Sequence, residues 1–146
     1  MITLLSVIVV LVTFGFGYIE RRSNERRQRT LEFLMKVIEG EGPIHEAHLT
    51  FASWVKNNRT FTDDEVNEED DNVIIKLLDY YDLVADTAGR KVIDQEMIIL
   101  HLGGRMRTTY STLSGYIQSR RKRLGRSGLY LPLEKFVNNH ICHKDV

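Results

Sequence analysis

Near the N-terminus, the run Ile2–Ile19 carries no charged side chain, and it constrains the fold more than any other feature. At about 1.5 Å of rise per residue, its roughly 18 residues would form a helix of about 27 Å, just enough to cross the hydrocarbon core of a bilayer. Buried elements of a soluble core are seldom this long without a polar interruption. The run therefore predicts a transmembrane anchor (residues 1–20).

A cleaved signal peptide is the alternative interpretation of this run. Signal peptides begin with a basic region and end in a cleavage site of the form small-x-small. Here apolar residues follow Met1 directly, and Gly15-Phe16-Gly17 is followed by Tyr18-Ile19 and then by charged residues. The pattern favours a retained single-pass anchor.

Basic residues flank the run on its C-terminal side. Five arginines follow within ten residues, namely Arg21, Arg22, Arg26, Arg27 and Arg29. Because basic flanks stay on the cytoplasmic side, the pattern places Met1 outside and the following domain in the cytoplasm, at the inner (cytoplasmic) membrane. The same arginines are predicted to contact anionic lipid head groups at the membrane surface.

Overall charge and cysteine content narrow the function classes only slightly. Lysine plus arginine equals aspartate plus glutamate, at 20 each, so no net charge favours nucleic acid as a partner. The single cysteine, Cys142, cannot form an intrachain disulfide, which fits a reducing compartment. Only Pro43 and Pro132 interrupt the chain, which leaves room for long helices.

The hydrophobic pattern after the run is helical throughout. Leu31, Leu34, Met35 and Ile38 recur at spacings of three and four, which predicts an amphipathic juxtamembrane helix or stalk within residues 21–42. Similar stripes predict helices over about 44–57, 62–87, 94–102, 105–123 and 133–139. The predicted fold is all-α, with one N-terminal transmembrane helix followed by a small cytoplasmic helical bundle (residues 43–146).

Local signals predict where some of these helices begin and end. Thr62, with Glu65 three residues later, forms a capping-box pattern that predicts a helix start at Thr62. Asp94 is the predicted N-cap of the next helix. Gly103-Gly104 is expected to break or kink that helix.

Two histidine pairs are weak candidates for metal binding. His45 with His48, and His140 with His143, would each share a helix face, and Cys142 could complete a set of zinc ligands. However, the chain has no Cys-x-x-Cys motif, and the sequence does not show whether the pairs meet. The prediction is no bound metal and no cofactor.

An acidic run (63–71) and a basic run (120–126) suggest charged surfaces. The acidic run lacks the central glycine of an EF-hand loop, so it favours a solvated helix face over calcium binding. The basic run could bind phosphate groups or pair with the acidic run, although few aromatic residues lie nearby to stack on bases. The candidate interaction residues are Tyr80, Tyr81, Arg120, Arg121, Lys122 and Arg123.

Several segments carry a resemblance to known proteins. They are Arg27-x-x-Thr30 before Leu31–Leu34, Ile75–Ala85, the Gly89 turn with Val92-Ile93-Asp94, Ile117–Arg120, and Tyr130–Phe136. Together they span most of residues 27–140, and they resemble a family of short bacterial and phage proteins defined only as a domain of unknown function. The resemblance implies one N-terminal membrane helix and an all-helical cytoplasmic domain, and it implies no activity.

No Gly-x-Ser-x-Gly motif, phosphate-binding loop or triad spacing occurs in the sequence. We therefore expect no enzyme, but a membrane-anchored interaction or accessory module that positions or regulates a partner protein, or its own copies, at the bilayer. A phage-exclusion or defence-type inhibitor of a membrane process is the alternative, and a weak metal-binding protein is a further one. Nucleic acid is not an expected partner.

Overall fold

The computed structural model describes Tyr18 and residues 20–36 and 43–141. Within these residues every regular element is helical and no strand occurs, which confirms the prediction of an all-α fold. The predicted membrane run (2–19) lies outside the described residues, apart from Tyr18. None of the described helices combines the length and the apolar character needed to cross a bilayer.

Six α-helices and one π-helical turn make up the described chain. They are α1 (residues 20–36), α2 (Pro43–Lys56), α3 (Glu68–Gly89), α4 (Gln95–Thr112), α5 (Ser114–Leu124), α6 (Leu131–Phe136) and the π-helical turn (Val137–Ile141). The long helix α3 packs against α2, α4 and α6, so it is the central element of the bundle.

The apolar stripe of α3 supplies much of the core. Its buried side chains are Ile74, Leu77, Leu78, Tyr81, Val84, Ala85 and Ala88. They pack with buried residues of the other helices, which include Phe51, Trp54, Ile98, Met106, Ile117, Leu133 and Phe136. Burial of these faces, rather than intrinsic helix propensity, supplies most of the stability of helices of this length.

The helix predicted over about 105–123 is divided at Leu113 between α4 and α5, and two further predicted helix boundaries are wrong for identifiable reasons. Helix α3 begins at Glu68, because the Asn67 side chain caps it by accepting from the Asp70 amide; Thr62 and Glu65 form a separate turn. Helix α4 continues through Gly103-Gly104 to Thr112. Gly103 is buried against the π-helical turn, where a Cβ atom would be in ordinary contact with the Ile141 side chain at 3.7 Å.

Helix α6 is held against α3 at its first turn. Tyr130, the residue before α6, adopts a left-handed conformation with φ of 57°. A carboxylate oxygen of Asp82 accepts the Leu133 amide at 3.0 Å and so caps α6 from a neighbouring helix. Burial raises the pKa of Asp82, although the Leu133 amide opposes that shift. Two of the segments that carry the family resemblance therefore meet here.

Candidate functional site

The N-terminal helix α1 is docked on the bundle through a polar contact. The hydroxyl of Thr30, a fully buried side chain, donates to the Arg26 carbonyl at 2.7 Å and accepts the Asp94 amide at 2.7 Å. Arg27 also pairs with the Asp94 carboxylate at 3.4 Å. We call Arg27, Thr30 and Asp94 the α1 docking contact.

The α1 docking contact accounts for two features of the sequence, the predicted N-cap at Asp94 and the apolar face of the predicted stalk. Asp94 is the N-cap of α4, as predicted, because its side chain accepts the Met97 amide at 3.2 Å. The same residue receives Thr30 and Arg27 from α1, while Leu34, one turn further along, is buried. The segment predicted as a stalk therefore packs on the helical domain. Thr30 could have been found from the sequence, since it lies four residues before Leu34 on the apolar face.

The predicted membrane-surface arginines lie along α1. Arg21, Arg22, Arg27 and Arg29 are exposed, and Arg26 is half-buried. Arg21 and Arg29 each pair loosely with Glu25, at 3.6 and 3.9 Å, and exposed pairs of this kind contribute little to stability. Four guanidinium groups are therefore accessible to solvent on the turns of α1 nearest the predicted anchor.

The two tyrosines predicted as an interaction patch belong mainly to the interior. Tyr81 is fully buried, and its hydroxyl forms a 2.7 Å hydrogen bond with Nε2 of His48. Tyr80 stacks on Phe33 of α1, with ring centroids 6.0 Å apart, and its buried hydroxyl has no partner among the described residues. Burial raises the pKa of Tyr80 to about 12 and raises that of Tyr81 as well, so both phenols stay neutral at physiological pH.

A cleft of about 450 Å³ lies between α2 and α4, beside the His48–Tyr81 hydrogen bond; we call it the α2–α4 cleft. Its apolar side chains are Leu49, Phe51, Ala52 and Val55, and its polar side chains are His45, His48, Tyr81, Arg105, Thr108 and Thr109. A concave, largely apolar surface with a few convergent polar groups is typical of small-molecule sites. The spacing of both histidines marks them in the sequence, whereas no sequence pattern marks Arg105.

The electrostatics of the α2–α4 cleft favour a neutral His48. Burial lowers the pKa of His48, and the electrostatic effects of nearby Arg105 and His45 lower it further. Arg105 is exposed and is the permanent cation of the cleft. At neutral pH the guanidinium of Arg105 therefore lies in the same cleft as a neutral His48 imidazole.

Acidification should destabilise the bundle through His48. Because the folded-state pKa of His48 lies below its ordinary value of 6.5, its contribution to stability is complete above pH 6.5 and is lost as the pH falls from there through the lower, folded-state pKa. We expect the urea midpoint to fall between pH 7 and pH 5, and to fall less in His48→Gln. Fluorescence of Trp54, the only tryptophan, reports the unfolding. His101→Gln, at an exposed position on α4, is the control, and equal pH dependence in all three proteins would contradict the prediction.

The acidic and basic runs do meet in space. Arg120 pairs with Asp63 at 3.1 Å and with Asp71 at 2.9 Å, and Arg123 also bonds to Asp63. The Asp63 side chain is only 1% exposed, and hydrogen bonding to Arg123 lowers its pKa despite burial. The hydroxyl of buried Tyr116 joins the same group by donating to Asp71.

Most of the basic run is therefore occupied within the chain. Arg121 donates to the Leu129 carbonyl at 2.8 Å and pairs with Glu134 at 2.6 Å, so it ties α5 to α6. Lys122 is exposed. Of the four predicted interaction residues in this run, Arg120 and Arg121 are mostly buried, whereas Lys122 and Arg123 are solvent-accessible.

The structure places the candidate metal ligands in different regions. His45 and His48 lie at the α2–α4 cleft, whereas His140 lies on the π-helical turn with its ring 5.3 Å from that of Phe136. His143 and Cys142 are outside the described residues. Among the residues that are described, no three histidine, cysteine or acidic side chains come together in a way that could hold a metal ion.

The fold and these surfaces define a small all-α domain with an N-terminal helix docked along it. The chain belongs to the family described as Domain of unknown function (DUF4760), whose model matches residues 1–140. No curated protein and no solved structure matches the chain. This match confirms the predicted resemblance to a family defined as a domain of unknown function.

Proposed function

We propose that this protein is a membrane-anchored accessory module that holds a partner protein, or a second copy of itself, at the cytoplasmic face of the membrane. The observation that carries the proposal is the α1 docking contact. It packs the helix that follows the apolar run against the domain, through buried Thr30 and its bond to Asp94. Motion of the anchor is thereby coupled to the orientation of the domain.

The dimensions of α1 support a position close to the lipid surface. From Glu20 to Thr30 the helix rises about 15 Å, so the docked bundle lies within a few turns of the predicted anchor. The exposed arginines of α1 occupy this interval, where each can gain about 1 kcal/mol from anionic lipids. We propose no enzymatic reaction for the chain.

Membrane insertion can be tested by placing charge in the apolar run. Arginine near the centre of a membrane helix costs about 3 kcal/mol per residue, so Val9→Arg combined with Val10→Arg should move the full chain from the membrane to the soluble fraction. Val9→Leu with Val10→Leu is the matched control and should stay in the membrane after carbonate extraction. Equal membrane retention of the arginine variant would contradict the proposal.

The only cysteine offers a test of orientation. We expect a membrane-impermeant maleimide to label Cys142 after cells are permeabilised and not in intact cells, because the proposal places the C-terminal part in the cytoplasm. Labelling of detergent-solubilised protein shows that the thiol can react. Labelling of Cys142 in intact cells would contradict the proposed topology.

A further inference from the structure

The α2–α4 cleft places an apolar wall opposite the guanidinium of Arg105. Leu49 is 61% exposed and lies beside Ala52 and Val55 on the α2 side, and Arg105 lies on the α4 side. An exposed leucine next to a concave surface leaves apolar area that a ligand could cover. The volume, about 450 Å³, lies within the range of small-molecule pockets.

Arg105 lacks an internal counter-ion in the part of the chain that the structure describes. No carboxylate among the described residues pairs with the Arg105 guanidinium. Several other arginines do have a carboxylate partner, namely Arg27, Arg59, Arg90, Arg120, Arg121 and Arg123. The guanidinium presents a planar donor fork that matches a carboxylate. The cleft therefore offers a site for one negative charge.

Two polar groups beside Arg105, His48 and Thr108, do not add a second positive charge. His48 is bonded to Tyr81, and burial keeps its imidazole neutral at pH 7. The Thr108 hydroxyl donates to the Gly104 carbonyl at 3.0 Å, so its oxygen adds no charge to the cleft. Among the described residues that line the cleft, Arg105 is the one with a permanent charge, so it can neutralise a single negative charge such as that of a carboxylate.

We propose that the α2–α4 cleft binds a small monocarboxylate that carries an apolar chain. Arg105 binds the carboxylate, and Leu49, Ala52 and Val55 contact the chain. This inference goes beyond the proposed accessory function and does not depend on it, because the described residues that line the cleft all belong to α2, α3 and α4.

The test uses the full chain in nanodiscs and a photoactivatable diazirine analogue of octanoate. Mass spectrometry should locate the cross-links on the α2 and α4 residues that line the cleft. Free octanoate should displace the probe, whereas octanol, which has the same chain without the charge, should not. Equal displacement by octanol, or stronger displacement by octyl phosphate, would overturn the monocarboxylate proposal.

Two variants test separately how the charge of Arg105 and the apolar wall contribute to binding. Arg105→Gln removes a charged hydrogen-bond partner and should weaken octanoate binding by about tenfold or more. Ala52→Trp keeps Arg105 and should abolish cross-linking by filling the cleft from an exposed helix position. Arg126→Gln, at an exposed position outside the cleft, is the charge-matched control and should bind like the unmodified chain.

Circular dichroism of each variant establishes that it keeps its helical content. Unchanged cross-linking in folded Arg105→Gln and Ala52→Trp would show that the probe binds elsewhere and would overturn the assignment. Cross-links spread evenly over the chain would do the same.

Discussion

Replacing Arg120 by alanine should lower the free energy of unfolding by about 3 kcal/mol. The substitution removes the guanidinium that pairs with both Asp63 and Asp71. It leaves the Asp63 carboxylate, 1% exposed, with less compensation for its buried charge. The expected loss lies at the lower end of the range for buried pairs, because Arg123 still bonds to Asp63.

The Arg120 prediction extends to the loop between α2 and α3. The Asp63 amide donates to Ser119 Oγ at 2.8 Å, and a Cβ atom on Gly115 would lie 3.2 Å from the Phe61 carbonyl, so this loop lies directly against α5. Losing the ion pairs should therefore loosen the loop as well as α5. Faster hydrogen exchange over residues 61–66 would accompany the fall in stability.

Urea unfolding followed by Trp54 fluorescence measures the Arg120 effect. Lys122→Ala, two residues away on the same helix and exposed, is the matched control and should change stability by less than about 0.5 kcal/mol. An Arg120→Ala protein as stable as the Lys122→Ala control would show that the ion-pair group contributes nothing net.

The helical periodicity of the sequence predicted much of this architecture. The apolar stripe that begins near Val66 continues through Leu77 and Tyr81, and it forms the buried face of α3. Asp94 was a strong local signal, because a short acidic side chain before an apolar stripe has a specific capping role. Both features can be recognised from the pattern of residues within one segment of the sequence.

Features set by distant contacts were not predictable in the same way. The turn at Thr62 resembles a helix start, but Asp63 is directed towards Arg120 and Arg123 on α5, and α3 begins later at Glu68. The pairing of Arg120 with Asp63 joins residues 57 positions apart. Periodicity within one segment contains no information about such partners.

The candidate site also combines features that the local sequence predicts with features that depend on distant contacts. The spacing of His45 and His48 predicted that they share one face of a helix, and that face of α2 forms one side of the cleft. Arg105 follows two glycines that suggested a break in the helix, so its position opposite α2 depended on α4 continuing through them. The assembled cleft is therefore a consequence of packing between helices.

Thr30→Val is expected to detach α1 from the bundle while preserving the size and shape of the side chain. It removes the oxygen that accepts the Asp94 amide, and the unpaired amide should cost about 2 kcal/mol at this contact. Arg27 alone cannot replace that bond, because its 3.4 Å pair with Asp94 is 60% exposed on the arginine side. Hydrogen exchange over residues 20–36 should accelerate, with little change over α3.

Thr87→Val is the matched control for the docking prediction. The Thr87 hydroxyl donates only to carbonyls of its own helix, from Leu83 and Val84, so its loss should leave the exchange of α1 unchanged. If the domain acts by holding a partner at a set orientation, Thr30→Val should remain in the membrane fraction and lose cross-linking to that partner. Slow exchange over residues 20–36 in Thr30→Val would show instead that apolar packing around Leu34 suffices to hold the helix, and the docking contact would then lose its proposed role.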